Sequence, residues 1–315
     1  MTRQFRTIVA LVALTFVFTI GRPAQALRPA RAYRATPGDY GIVHEPVTFL
    51  TSDSLRLVGW FYPQQDTAGI ANDLVGRVIP VPERLRRASP PFVTSGQAPV
   101  VVICDGDGGN MADLIFYAYQ FFTRGYHVFT FDWRGFGGSA HWPMDRDQLC
   151  CTEFLLDYDA AIRYIMTRPD AAKDKVALMG FSTGAYLSFA MLVEHDEIAA
   201  FAGRALLTSF DDILPILREV APQRSFHAPP DYPSSLLPIN AAPRVGVPAF
   251  LVVGERDART PPWMSRRILG LLKGPKELWI VPGAGHGGAS APEFTDYPTF
   301  FERVAAFFDA NLEAE

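Results

Sequence analysis

The fold is decided by the stretch Val176-Ala177-Leu178-Met179-Gly180-Phe181-Ser182-Thr183-Gly184. An uncharged run without turn residues before Gly180 predicts a buried strand, and the pattern at 183–193 predicts a helix directly after it. Small residues two positions before and two after Ser182 let the helix pack close to the strand. This strand–turn–helix setting holds the serine hydroxyl at the carboxyl edge of a sheet, above a helix N-terminus. Ser182 is therefore the candidate nucleophile.

A serine nucleophile needs a base that is oriented by an acid. His286 lies in a glycine-rich loop after the apolar run 277–281, and Asp257 lies in the loop after the run 249–253. The order serine, acid, histidine, with each residue beyond a strand, favours Ser182, Asp257 and His286 as a catalytic triad. Three other acids near the ends of strands remain alternatives to Asp257: Asp211, Asp212 and Glu255.

A third loop follows the apolar run 99–104 and reads Asp105-Gly106-Asp107-Gly108-Gly109-Asn110. We expect the backbone N–H groups of Asp107 and Thr183 to form an oxyanion hole. Two carboxylates near a developing negative charge are unfavourable unless they are turned away or paired. Asp105 is therefore expected to accept hydrogen bonds from its own loop or to pair with an arginine such as Arg134.

Apolar runs alternate with helical patterns along most of the chain. The expected strands are 47–50, 55–61, 99–104, 127–132, 176–181, 202–207, 249–253 and 277–281, and the expected helices are 110–124, 151–167, 183–193, 261–273 and 297–312. This alternation predicts an α/β fold with a mainly parallel central sheet of about eight strands and helices on both faces.

Two segments interrupt the alternation. Residues 64–97 are rich in proline and arginine and are interpreted as an irregular loop, and residues 209–246 as a lid insertion. The prolines of the lid favour irregular structure over a full helical cap. Its apolar residues either pack over the sheet edge or form an apolar acyl pocket: Phe210, Leu214, Ile216, Leu217, Phe226, Tyr232, Leu236 and Leu237. Arg218 and Arg224 are interpreted as solvated surface charges, in preference to ligands of an anionic group.

Together these motifs resemble the α/β-hydrolase superfamily, and within it the single-domain serine hydrolases with a short lid. The resemblance covers roughly residues 45–312. The resemblance rests on five motifs: the Asp105-Gly106 loop, Asp132-Trp133-Arg134-Gly135-Phe136-Gly137-Gly138-Ser139, the Gly180–Gly184 turn, the Gly254–Pro261 loop and the Gly283–His286 loop. It implies that the segment 132–139 is structural and braces the oxyanion loop. The family usually has His-Gly where this chain has Asp105-Gly106.

The amino-terminal segment 1–26 has the features of a secretory signal peptide. Arg3 and Arg6 precede an uncharged apolar run at 7–20, and Ala24-Gln25-Ala26 offers a cleavage site after Ala26. The run is short for a membrane anchor, although an uncleaved anchor is the alternative. Cleavage would remove three arginines and no acids, so the net charge of −4 would become −7 for a domain at 27–315. We expect an exported protein, periplasmic or extracellular, with no stable membrane span after cleavage.

Composition excludes several other classes of function. A net charge of −4 gives no basic surface for nucleic acid. Three cysteines cannot form a disulfide framework; Cys104 is expected to be buried, although a link to Cys150 or Cys151 is open. The sequence has no metal-ligand spacing and no phosphate-loop motif, so no metal or cofactor is expected.

The leading hypothesis is a serine hydrolase that cleaves a carboxylic ester or thioester of a small molecule through an acyl-enzyme. Peptidase or acyltransferase chemistry on the same triad is an alternative. A non-catalytic binding protein that retains the fold is a further alternative, from another class. The pattern does not specify the oligomeric state.

Overall fold

A computed structural model describes residues 25–66 and 96–312 of the 315-residue chain. The expected signal segment, apart from its last two residues, and most of the irregular loop at 64–97 lie outside these described residues.

Ten strands occur in this part of the chain. They are β1 (Arg28–Pro29), β2 (Glu45–Leu50), β3 (Arg56–Tyr62), β4 (Ala98–Cys104), β5 (Gly108–Gly109), β6 (His127–Phe131), β7 (Ala171–Phe181), β8 (Ile198–Arg204), β9 (Ala249–Gly254) and β10 (Lys276–Val281). Eight of them form one sheet in the order β10-β9-β8-β7-β4-β6-β3-β2. Only the pairs β2–β3 and β3–β6 of this sheet are antiparallel. The predicted mainly parallel sheet of about eight strands is confirmed.

The helices cover both faces of this sheet. They are α1 (Ile115–Phe122), α2 (Phe154–Thr167), α3 (Thr183–Met191), α4 (Phe210–Val220), α5 (Pro238–Ala241), α6 (Pro262–Leu271), α7 (Pro292–Thr295) and α8 (Thr299–Leu312). Alternate residues of β4 enter two different cores: Val100 and Val102 join one, and Val101 and Ile103 join the other. Because side chains alternate across a strand, a strand buried on both faces reads as a continuous apolar run.

The aligned strand ends bring the candidate loops together. Cys104 of β4 pairs with Gly180 of β7, and Phe181 pairs with Arg204 of β8. Since parallel strands end at the same edge, the residues after β4, β7, β8, β9 and β10 all meet there.

The expected bounds of one strand are wrong. The strand expected at 202–207 runs from Ile198 to Arg204, because the chain leaves the sheet at Ala205, which has a φ of 60°. The lid begins with a regular eleven-residue helix, α4, despite Pro215 within it. Ser209 caps this helix by accepting a hydrogen bond from the Asp212 N–H, and its inward face carries Phe210, Ile213 and Leu217. Amphipathic burial outweighs the cost of one proline here.

A short amino-terminal segment lies against the oxyanion loop. Strand β1 pairs in parallel with β5, and Asn110 donates hydrogen bonds to the carbonyls of Ala30 and Ala32. Ala26 and Leu27 are buried. The amino-terminal segment thus packs against the oxyanion loop, residues 105–110.

Candidate active site

Ser182 occupies a sharp turn between β7 and α3. Its backbone has φ 51° and ψ −114°, a conformation that costs a non-glycine residue free energy and is held only by its surroundings. A Cβ at Gly180 would lie 2.6 Å from the Ala185 Cα, and one at Gly184 would collide with the carbonyl of Asp105. Glycine at these two positions is therefore required for the close approach of strand, turn and oxyanion loop.

His286 lies within reach of both Ser182 and Asp257. Its Nε2 is 3.1 Å from the Ser182 Oγ, and its Nδ1 is 2.9 Å from the Asp257 Oδ2. The distances suit a base that takes the serine proton while an acid fixes the tautomer of the ring. The structure therefore brings together the three residues that were predicted as a triad.

Asp257 is fixed by more than the histidine. Its carboxylate also accepts hydrogen bonds from the Thr260 N–H and Oγ1 and from the Arg259 N–H. Burial by itself would raise the pKa of Asp257, but the hydrogen bond and charge of His286 and the Thr260 donors outweigh it, so the pKa lies below its usual value. The acid thus stays ionised beside the imidazole.

The alternative acids have other partners. Glu255 is exposed and accepts the Gly283 N–H, and Asp212 accepts from Thr208 and from Arg267. Asp211 is an exposed residue in the first turn of α4. None of the three contacts His286, which leaves Asp257 as its carboxylate partner among the described residues.

Sequence reasoning missed a group that holds the histidine loop. Arg204, at the end of β8, donates from Nη1 to the backbone carbonyl of His286 at 2.5 Å. Its Nε lies 3.2 Å from the Oε2 of buried Glu293, and Tyr117 donates to the Oε1 of that glutamate. The available signal was an arginine at the end of an otherwise uncharged strand, since a buried charge requires a partner.

Asp105 accepts a hydrogen bond from the Gly106 N–H at 2.7 Å, so the expected contact with its own loop is confirmed. The suggested pairing with Arg134 is wrong, because that guanidinium binds Asp53 and Asp157 instead. Burial raises the pKa of Asp105 well above its usual range, and the charges of Asp113, Asp107 and Asp132 raise it further. The raised pKa favours the neutral form of Asp105, and in that form the side chain does not oppose a developing oxyanion.

Asp107 has a different arrangement. Its carboxylate pairs with Arg28 at 3.0 Å and with Arg224 at 3.4 Å, which turns its charge toward two arginines. Neither the Asp107 N–H nor the Thr183 N–H donates to another residue in the described ranges. Both amides belong to residues that line the cavity beside Ser182, as two oxyanion donors would require.

Two cavities meet at Ser182 and His286. One is narrow, about 50 Å³, and its apolar walls include Leu149, Tyr186 and Leu207 together with Ile213, Leu217 and Phe226 from the lid segment. The other is an open polar cleft of about 820 Å³ beside the oxyanion loop. Part of the lid therefore lines a pocket, as one of the two interpretations of its apolar residues expected.

Arg218 is exposed as expected, but the interpretation of Arg224 as a solvated surface charge is wrong. The Arg224 side chain is only 7% exposed and lines the narrow cavity. Its guanidinium lies 4.8 Å from the ring centre of Phe226, because the lid folds it back over the site.

The segment 132–139 has the structural role that the resemblance implied. Asp132 accepts hydrogen bonds from the Met111 N–H, just beyond the oxyanion loop, and from the Gly138 N–H. Arg134 is fully buried between Asp157, which also accepts its backbone N–H, and Asp53. These contacts brace the loop without touching Ser182.

The cysteines are free and buried: Cys104, Cys150 and Cys151. Burial raises the pKa of each thiol. Across residues 25–66 and 96–312, no cluster of three or more His, Cys, Asp or Glu side chains is arranged to hold a metal ion. No helix in the same ranges is long and apolar enough to cross a bilayer.

Comparisons with known proteins agree with this geometry. Residues 96–221 match the family described as serine aminopeptidase, S33. The esterase Pf2001 of Pyrococcus furiosus superposes with a TM-score of 0.64 at 17% identity, over 92% of this chain and 99% of that one. The chain has the α/β-hydrolase fold.

A peptidase of known structure and an uncharacterized relative are also similar to this chain. A puromycin-hydrolyzing peptidase of Mycobacterium tuberculosis superposes with a TM-score of 0.65 at 18% identity, over 88% of this chain and 40% of the peptidase. An uncharacterized protein of Mycobacterium tuberculosis is 26% identical over 308 residues, which are 95% of this chain and 92% of that relative. The similar proteins include an esterase and a peptidase, so they do not fix the substrate.

Proposed function

We propose that the protein is a serine hydrolase that cleaves carboxylic esters or thioesters of small molecules through an acyl-enzyme. The observation that carries the proposal is the continuous contact from the Ser182 Oγ through His286 to the Asp257 carboxylate. The free amides of Asp107 and Thr183 beside the same serine support it.

In the proposed reaction, Ser182 Oγ attacks the carbonyl carbon while His286 Nε2 takes the hydroxyl proton. The carbonyl oxygen becomes an oxyanion that accepts hydrogen bonds from the Asp107 and Thr183 amides. The tetrahedral intermediate collapses, and His286 gives its proton to the leaving alcohol or thiol. Water, deprotonated by His286, then attacks the acyl-enzyme and releases the acid, which regenerates Ser182.

The narrow cavity supports a short acyl group. Its apolar walls suit carbon chains, but about 50 Å³ accommodates only a few heavy atoms without movement of the lid. The open polar cleft on the other side of Ser182 suits the leaving group. We therefore expect acetyl to butyryl esters to be cleaved faster than long-chain esters.

A peptidase is the second candidate, favoured by the serine aminopeptidase match and by the puromycin-hydrolyzing peptidase among similar structures. Purified protein should be assayed with a series of p-nitrophenyl esters and with aminoacyl anilides, alongside Ser182→Ala. Ester turnover that depends on Ser182 supports the proposal. Turnover of anilides alone would favour the peptidase, and no Ser182-dependent turnover of either would contradict both.

We also propose that the protein is exported and cleaved after Ala26. The basic, apolar and Ala-x-Ala segments of residues 1–26 support this. Expression of the full chain in a Gram-negative host, followed by amino-terminal sequencing of the periplasmic fraction, tests it. A mature protein that begins at Leu27 is expected, and a cytoplasmic protein that retains the leader would contradict the proposal.

A further inference from the structure

The narrow cavity beside Ser182 contains positive charge that the proposed hydrolysis does not use. Its walls are mostly apolar, yet Arg224 and Arg259 both line it. Arg259 also lines the open cleft, so its side chain stands where the two cavities meet. A purely apolar acyl pocket would have no need of two guanidinium groups.

The Arg224 side chain is buried, and its charge and hydrogen-bond donors are only partly satisfied by other groups. Its Nη2 reaches Asp107 only at 3.4 Å, and its two other acceptors, the carbonyls of Gln25 and Ala26, belong to the segment that the proposed cleavage would remove. Its Nε is buried and has no hydrogen-bond partner among the described residues. Burial lowers the pKa of Arg224, and the charges of Arg28 and Arg259 lower it further, although Asp107 acts in the opposite direction. The positive charge of the Arg224 guanidinium is thus only partly neutralised by the groups around it.

Arg259 has still fewer partners. Its backbone N–H donates to Asp257, but no side chain or carbonyl in the described ranges binds its guanidinium. The nearby acids are already engaged: Asp257 binds His286 and Thr260, and Asp107 is shared by Arg28 and Arg224. Arg28 and Arg224 therefore share the carboxylate of Asp107, and Arg259, which lines the same narrow cavity as Arg224, adds a further positive charge there.

A desolvated guanidinium with free donors is a site for a carboxylate, which it binds in a planar geometry. Both arginines line the apolar side, which the acyl group would occupy. An anion there would supply an acceptor to the Arg224 Nε and to Arg259, while the methylene groups of the same ligand contact the apolar walls.

We propose that Arg224 and Arg259 form an anion subsite for an acyl group that ends in a carboxylate, so that the substrate is the monoester of a short dicarboxylic acid. This inference rests on the proposed ester hydrolysis at Ser182 and names its substrate class. Arg259 supplies the free charge, and Arg224, held over Phe226, supplies the buried donor.

The subsite is tested with two matched esters that differ in one charge. Monomethyl glutarate carries a terminal carboxylate, and methyl glutaramate replaces it with a neutral amide of the same size. We expect the wild type to cleave the monoester with a kcat/KM at least about tenfold higher. Arg259→Gln should remove most of this preference, measured as the ratio of kcat/KM for the two esters. Arg256→Gln, an exposed neighbour outside both cavities, should leave the preference unchanged.

A binding measurement separates this inference from the proposed function. Glutarate should bind Ser182→Ala by calorimetry, and Ser182→Ala/Arg259→Gln should bind it at least about tenfold more weakly. Ester hydrolysis with no preference for the charged acyl group, together with no glutarate binding, would overturn the subsite alone. Glutarate binding that requires Arg259, without Ser182-dependent hydrolysis, would overturn the proposed function alone.

Discussion

Asp105 illustrates how burial changes the chemistry of a single side chain. It stands beside the nucleophile turn, where a carboxylate would oppose an oxyanion, but burial raises its pKa well above the usual range. The raised pKa favours the neutral acid, and the carboxyl group accepts the Gly106 N–H, which fixes the loop. The departure from the family pattern at this position is thus compatible with an oxyanion hole.

Asp105→Asn tests this assignment because an amide mimics the neutral acid. Activity at pH 7 should stay within about threefold of wild type. The pKa of Asp105 is higher in the folded protein than in the unfolded chain. The free energy of unfolding therefore falls as the pH rises above the pKa of Asp105 in the unfolded chain. Urea unfolding at pH 5 and pH 8 should therefore show Asp105→Asn gaining stability relative to wild type at the higher pH. A large activity loss with no pH-dependent gain would mean that Asp105 works as an anion.

Asp257→Asn should lower kcat by about 10³–10⁴-fold, since an amide cannot fix the histidine tautomer or stabilise the imidazolium. Steady-state kinetics with a p-nitrophenyl ester provides the measurement. Glu255→Gln is the matched control, because Glu255 lies two residues away and binds Gly283 instead. If Glu255→Gln proves the more damaging change, the acid has been misassigned.

Sequence reasoning reached the three contacting residues because each follows a strand and the fold determines where strand ends meet. It did not reach Arg204 and Glu293, which are far apart in the chain and meet only through packing of α7 against the sheet. The burial of Arg224 was also out of reach, because it depends on how the lid folds back.

At the scale of elements, Arg204 links β8 to the loop that carries His286 and to α7. The Arg204 guanidinium contacts both the His286 carbonyl and Glu293, and a lysine side chain cannot reproduce both contacts. Strand β8 was predicted to end three residues too late, since the apolar run continues through Leu207 although the chain leaves the sheet at Ala205. A hydrophobic pattern does not distinguish the last strand residues from pocket-lining residues that follow.

Arg204→Lys should lower kcat by about tenfold with little change in KM, because the histidine loses its position while the substrate cavity persists. Kinetics with a short-chain ester separates the two constants. Circular dichroism controls for folding. An unchanged kcat would show that the histidine loop is held without Arg204.

At the scale of the molecule, buried charges join distant parts of the chain. Arg134 binds Asp157 on α2 and Asp53 between β2 and β3, with its own side chain fully buried. The cores on the two sheet faces were predictable from apolar runs, but this connection was not, since ion-pair partners have no sequence periodicity.

Asp157→Asn should destabilise the fold by about 3–5 kcal/mol, because it leaves the Arg134 charge buried with one fewer partner. Arg163→Gln on the same helix is the control and should cost less than about 1 kcal/mol, since the Arg163 side chain is exposed and its ion pair with Asp159 lies at the surface. Urea unfolding measures both. Equal effects of the two variants would argue against a structural role for the buried pair.

The central claim is that Ser182 is the activated nucleophile of this protein. The most direct measurement is covalent labelling with a fluorophosphonate probe, followed by mass spectrometry of the labelled peptide. Wild type and Ser235→Ala, which changes an exposed lid serine, should be labelled at Ser182, and Ser182→Ala should not be labelled. Labelling of Ser182→Ala at the wild-type rate, or no labelling of folded wild type, would contradict the claim.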